Sequence, residues 1–214
     1  MRDRTLQLSA QTRIHAGDEI SIQYVTPLLG NVQRKAKTMK NWYFECGCPR
    51  CREPSELGTM VSGVTCDKCG DTLLPRSGML MLTQLFRIFR YVTCRYYYRK
   101  NAKGDTVYQC EVEDCDNCLS CGEVIAMETD LETEMEASDC SDLRVIQGLV
   151  SKWSQRLHGQ HFLVLLLKRK LLAALKKSPA SDDQDAGHLR VVLGLCEEQL
   201  RVWDVLDPGL TLLR

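Results

Sequence analysis

At 214 residues the chain is long enough for one large domain or two small ones around a sizeable core. Its 28 basic and 28 acidic side chains cancel, so no global charge points to a nucleic-acid or membrane surface. Met1-Arg2-Asp3-Arg4 leads straight into a polar, strand-like segment, and no stretch resembles a cleavable secretory signal.

Residues 5–24 carry apolar side chains at period two, at Leu6, Leu8, Ile14, Ile20, Ile22 and Tyr24. This alternation predicts two short strands around a turn at His15-Ala16-Gly17-Asp18. Pro27 to Gly30 breaks the pattern, and Asn31 to Trp42 is basic and helix-compatible. The run Cys46-Gly47-Cys48-Pro49-Arg50-Cys51 follows, then a loop, then Thr65-Cys66-Asp67-Lys68-Cys69-Gly70.

Met79 to Lys100 interleaves Phe86, Phe89, Tyr91, Tyr96, Tyr97 and Tyr98 with Arg87, Arg90, Arg95 and Arg99. A membrane span needs about twenty mainly apolar residues, and these arginines interrupt any such run. Stacking on single-stranded nucleic acid is one use of such a pattern; an amphipathic helix or inserted sequence is the better reading. From Gly104 to Leu143 there is no lysine or arginine, while acids recur, so the second half of that stretch reads as a solvated linker or the acidic start of a helix.

The last third is helical. Leu143, Ile146, Leu149, Val150 and Trp153 fall at helical spacing within 142–157, and His161 to Lys177 is apolar on most sides early, as a central helix would be. After a polar loop, a third helix over 188–206 carries Leu189, Val192, Leu193, Cys196, Leu200, Trp203 and Leu206. Asp207-Pro208-Gly209 ends it, and an apolar run from Leu210 to Leu213 follows. Three helices do not close a bundle, so the chain reads as truncated at both ends.

The chain has twelve cysteines, of which Cys46/Cys48/Cys51, Cys66/Cys69 and Cys118/Cys121 stand at gaps too short for disulfides with each other but suited to tetrahedral zinc. Cys46, Cys48 and Cys51 offer three ligands; Cys66 and Cys69 need a second pair. Cys118 and Cys121 have the matching C-x-x-C spacing, with Cys110 and Cys115 as competitors of poorer spacing. Thioredoxin-like redox use lacks the strand–helix unit it would need. Cys94, Cys140 and Cys196 look unpaired, Cys196 as a core side chain on the last helix. His158 and His161, at a loop-to-helix junction without a nearby cysteine, read as structural rather than metal ligands.

The run Gly17-Asp18-Glu19-Ile20-Ser21-Ile22-Gln23-Tyr24, the Gly30/Arg34 step and the aromatic before C-x-C-x-x-C resemble the SMYD (SET and MYND) protein lysine methyltransferases, in particular their arthropod branch. Pro54-Ser55-Glu56-Leu57-Gly58-Thr59, Cys66 to Gly70, Leu157 to Phe162 and Asp207-Pro208-Gly209 are similar to that branch too. The resemblance covers roughly 5–75 and 140–214; residues 79–117 depart from it.

It implies an α+β protein: the end of a SET domain over 1–45, a post-SET zinc region over 46–75, a divergent and partly disordered insert over 76–140 with a possible second zinc site, and a helical C-terminal domain over 141–214. Tyr24 would orient a lysine amine for attack on the methyl of S-adenosylmethionine, Phe44 would lie beside the cofactor's adenine, and Trp42 and Tyr43 would wall the lysine channel. The family's fourth zinc ligand comes from an upstream Asn-His-Ser-Cys segment that this chain does not contain, so the chain alone is expected to be inactive. The implied partners are a protein lysine substrate, histone among the candidates, and chromatin or protein partners of the helical domain, in the cytoplasm or nucleus. The alternative is a non-catalytic module that binds zinc and holds a partner on its helices.

Overall fold

The computed structural model describes residues 10, 13–18, 20, 22–76, 106–140, 142–177 and 185–208. The expected strand positions Leu6 and Leu8, the aromatic–arginine stretch with Cys94, and the final apolar run lie outside the described residues. Among the described residues two helices precede a four-stranded sheet and four follow it: α1 (Asn31–Trp42), α2 (Pro49–Arg52), β1 (Val64–Thr65), β2 (Thr72–Arg76), β3 (Val107–Cys110), β4 (Cys118–Ser120), α3 (Cys121–Ala137), α4 (Leu143–Trp153), α5 (Phe162–Lys177) and α6 (Asp185–Leu206).

The four strands form an antiparallel meander in chain order, with Val64 opposite Leu73, Leu73 opposite Cys110 and Tyr108 opposite Leu119. Pro75 sits in β2 without harm because β1 pairs only with Thr72 and Leu73, so no ladder N–H is missed on that side. The inward face supplies Val64, Leu73 and Tyr108 to a core shared with Leu131 of α3, Leu149 and Trp153 of α4, and Val164 and Leu167 of α5. As the sequence predicts, α5 is the central helix, burying seven of its side chains from Phe162 to Leu175.

The chain crosses from helices to sheet at one seam. Leu157 bridges Val64, His158 N–H donates to the Gly63 carbonyl, and Phe162 N–H donates to that of Val61. Gly63 must be glycine for this approach: a Cβ there would lie 2.9 Å from both His158 Cβ and Thr72 Cγ2.

Two expectations change. The turn at His15–Asp18 forms, with Asp18 N–H on the His15 carbonyl, but the described part of 13–24 has no strand. Its alternating side chains stay outside, with Ile20 78% and Ile22 71% exposed; a strand requires a partner for its backbone groups, and none among the described residues supplies one. Conversely, the acidic stretch over 121–137, expected as a linker or the mere start of a helix, is a full helix. Ser120 and Glu123 close a capping box at its N-terminus, and Val124, Leu131 and Met135 form its buried stripe. Abundant acids on the other faces hide that stripe in the sequence.

Burial, and then the neighbouring Lys168, hold the His158 imidazole below its ordinary 6.5. The folded chain therefore favours neutral His158, and its contribution to stability is full above pH 6.5 and drains as pH falls from there toward the folded value. Replacing His158 with Asn is expected to shrink the loss of urea-midpoint stability between pH 7.5 and pH 5.5; an unchanged loss would exclude this source.

Candidate functional site

The first centre grows from α1. Gly30 caps the helix and Arg34 N–H closes its first turn on the Gly30 carbonyl, so the two residues, four apart, face the same side. That side meets a tight left-handed stretch in which Glu56, Leu57 and Met60 all have positive φ, of 53°, 63° and 55°. Each such residue costs about 1–2 kcal/mol, and the result is to bring the wholly buried Glu56 carboxylate against the helix N-terminus.

Glu56 is fully engaged. It accepts from Asn31 N–H at 2.9 Å, from Ser62 Oγ, from Arg34 Nη1, and from Arg50 Nε at 3.0 Å. Both guanidiniums also donate to the Leu29 carbonyl. Gly30 leaves room for this knot, since a Cβ would lie 2.7 Å from Ser62 Oγ.

The same arginines define the cysteine knuckle. The thiols of Cys46, Cys48 and Cys51 lie within 4.8 Å of one another on and before α2. Arg34 Nη2 donates to Cys51 Sγ at 3.4 Å, and Asn31 Nδ2 to the Cys51 carbonyl at 3.0 Å. Two buried cations against one carboxylate leave a positive charge beside Cys51. A divalent metal on three thiolates carries net −1, so that surplus charge fits a metal–thiolate group. Burial, only partly countered by Arg34, pushes the Cys51 thiol up to about 11, which a metal must overcome by displacing its proton.

The second cluster is Cys66, Cys69, Cys110 and Cys115, whose thiols also lie within 4.8 Å of one another. Cys66 to Cys115 is 3.6 Å and Cys69 to Cys110 is 3.5 Å. Thiolates held at ~2.3 Å around tetrahedral zinc stand about 3.8 Å apart, so the set is close to ready-made. In an antiparallel meander the β1–β2 and β3–β4 turns lie at the same end of the sheet, and each turn brings two of these cysteines. Asn117 Nδ2 to Asp67 at 2.6 Å and Lys68 to Asp116 at 2.7 Å clasp the two turns.

Cys118 and Cys121, expected to complete this site from their spacing, are not in the cluster. Cys118 pairs with Gln109 inside the sheet. Cys121 N–H donates to the Thr106 carbonyl, at the far end of β3 from the turns. The poorer-spaced Cys110 and Cys115 take the place because register, not C-x-x-C spacing, decides which thiols meet. Burial opposes ionisation of Cys66, but a hydrogen bond from Asn117 and the backbone N–H groups of Cys69 and Lys68 outweigh it and bring the thiol down to about 6. Burial pushes Cys110 up to about 12. Metal uptake at this cluster therefore expels the thiol protons of Cys69 and Cys110, both raised above the ordinary thiol value, and Cys110 resists it the more.

Tyr24, Trp42 and Phe44 come together beside the knuckle. Tyr24 meets Trp42 edge-on at 5.4 Å and Phe44 at 5.0 Å, with interplanar angles of 71° and 69°. Tyr24 nevertheless remains 44% exposed. Tyr43 does not share this cluster's setting: it ends α1 in the left-handed conformation (φ 58°) and is 85% exposed. His158 and His161 stand apart from both thiol clusters. His158 Nδ1 accepts from Gln160 N–H, and His161 Nδ1 from Leu163 N–H with Nε2 3.3 Å from Glu128.

No protein-family model matches the chain. Over 66 residues, 31% of this chain and 15% of the relative, it is 36% identical to the SET domain-containing protein SmydA-8, isoform B, of Drosophila melanogaster. Over 57 residues, 27% of this chain and 12% of the relative, it is 38% identical to the histone-lysine N-methyltransferase SET5 of Scheffersomyces stipitis. The matches support a SET-domain family. The matched stretches span only a small part of either relative, 15% and 12% of their lengths.

Two outcomes test this site. Cys110→Ser or Cys115→Ser is expected to remove about one zinc equivalent per chain by elemental analysis, whereas Cys118→Ser and Cys121→Ser leave the zinc content unchanged. Glu56→Gln strands two buried cations and is expected to cost about 3–5 kcal/mol in urea unfolding, with faster zinc release to a chelator from the three-cysteine knuckle.

Proposed function

We propose that the chain is part of a SMYD-type protein of the arthropod branch, whose whole product transfers a methyl group from S-adenosylmethionine to a protein lysine. The observation that carries this reading is the edge-on trio of Tyr24, Trp42 and Phe44 set directly before the cysteine knuckle. The partial matches to SET-domain proteins support the SET-domain part of this reading.

On this reading the cofactor supplies the methyl group as a sulfonium. Phe44 offers a half-buried flat face for the adenine, and the hydroxyl of the partly exposed Tyr24 orients the lysine amine. Trp42 braces Tyr24 from the end of α1 and walls the channel with it. Tyr43, exposed on the outside of the turn, would meet the substrate protein's surface rather than the target side chain. Zinc on Cys46, Cys48 and Cys51 holds Phe44 in place, and zinc on Cys66, Cys69, Cys110 and Cys115 fastens the sheet on which the helical part rests. A histone tail is one candidate substrate, in the nucleus or cytoplasm.

The test is methyl transfer to histone and total-protein lysines by this chain and by the longest in-frame product of its transcript. Tyr24→Phe is expected to lower the rate about a hundredfold while cofactor binding persists, and Phe44→Ala to weaken cofactor binding. Absence of methyl transfer from both products would overturn the reading.

A further inference from the structure

The cysteines at the tip of the sheet lie closest across the two hairpins. Cys66 N–H donates to the Asp71 carbonyl at 2.6 Å and Cys110 N–H to the Asn117 carbonyl at 3.1 Å, so each of these cysteines closes the neck of its own turn. Cys69 and Cys115 lie out in the loops beyond. Sulfur to sulfur, Cys69 stands 3.5 Å from Cys110 and Cys115 3.6 Å from Cys66. Each close pair therefore joins the neck of one turn to the loop of the other, across 41 and 49 residues of chain. A bond inside either turn would link residues that are already neighbours and leave the two turns unjoined.

Access to the four sulfurs is uneven. Cys69 is exposed, while Cys66, Cys110 and Cys115 are buried. An oxidant arriving from solvent meets Cys69 first, and Cys110 is the thiol beside it. On the other side Asn117 Nδ2 donates to Cys66 Sγ at 3.2 Å, which keeps that sulfur at the seam of the two turns, facing Cys115.

We propose that this cluster is a site of reversible oxidation by hydroperoxides, in which the four thiols become two disulfides, Cys69–Cys110 and Cys66–Cys115, and the sheet keeps its fold. The Cys69 sulfur attacks the peroxide and its O–O bond breaks. The sulfur is oxidised to a sulfenic acid, and the leaving oxygen takes up a proton and departs as water. The Cys110 sulfur then displaces the remaining oxygen, also as water, and the S–S bond forms. A second hydroperoxide oxidises Cys66 and Cys115 in the same way. Four thiols and two molecules of hydrogen peroxide thus give two disulfides and four waters. Where the cluster holds zinc, the thiolates draw the missing protons from solvent, and the metal leaves as the divalent ion because its ligands are no longer thiolates. Both states close the same end of the sheet, one through the metal and one through two bonds across the same turns. The inference rests on the four-thiol geometry and is independent of methyl transfer.

The test is a hydrogen peroxide titration of the whole zinc-loaded chain. Released zinc is read with a chromogenic chelator, and disulfides are mapped by mass spectrometry after the remaining thiols are alkylated. The links Cys69–Cys110 and Cys66–Cys115 are expected, with loss of about one zinc equivalent from this cluster. Circular dichroism should stay close to that of the reduced chain, and a thiol reductant with zinc should restore the starting state. Cys115→Ser should still form the Cys69–Cys110 link. Zinc content is measured before oxidation: a chain without zinc at this cluster refutes the metal reading alone, and the same two links are still required of its thiols. Any other pairing among the four cysteines overturns the proposal. So does their oxidation to sulfinic or sulfonic acids without disulfides, loss of the fold on oxidation, or survival of all four thiols in a large excess of peroxide.

Discussion

The buried carboxylate of Glu56 is the interaction on which the N-terminal half depends. It meets the first N–H of α1, the hydroxyl of Ser62, and two guanidiniums that come from different elements. Removing a carboxylate from water costs several kcal/mol, returned only if every lone pair finds a donor; here four groups converge on it. The left-handed backbone from Glu56 to Gly58 adds strain, and the ion knot is what holds that strain in place. Because Arg34 also reaches Cys51, the geometry of the three-cysteine knuckle is an extension of the same knot.

The two thiol clusters act on different neighbours. The first lies on the short α2 and the irregular chain before it, with no strand among the described residues to support it, so its order comes from ionic contacts and from any metal it takes. The second closes the tips of two hairpins whose β2 and β3 pair over four residues. Its sheet is small, and its inner face is covered by α3, α4 and α5. A metal there would join turns separated by some forty residues, constraining the unfolded chain as well as the folded one. The aromatic trio sits next to the first cluster, so a reacting group placed there would depend on the ion knot for its position.

Much of this was legible in the residues. The helical stripes of α4 and α5 announce themselves, since Ile146, Leu149 and Trp153 or the run Phe162 to Leu167 admit no other burial. The three-cysteine knuckle follows from spacing, and so does the nearness of Tyr24's aromatic companions Trp42 and Phe44 to it. The helix over Asn31–Trp42 was legible, but not its buried face of Asn31, Arg34 and Thr38: a polar stripe gives no hydrophobic period, and only the remote Glu56 explains it. The buried side of α3 was masked by acids, and the described residues of 20–24 find no strand partner among the described residues.

What the sequence determined by itself is local chemistry: which segments are helical, which thiols are near neighbours along the chain, and which aromatics flank them. These depend on residues a turn or two apart. Tertiary structure decided the pairings over long distance. Cys110 and Cys115, not Cys118 and Cys121, join Cys66 and Cys69 because strand register places both hairpin turns at one end of the sheet. Cys196 is only half-buried because α6 turns Val192, Leu195, Val202 and Leu206 inward instead. Register and the choice of which helix face turns inward are properties of the whole packed chain, and no local spacing encodes them.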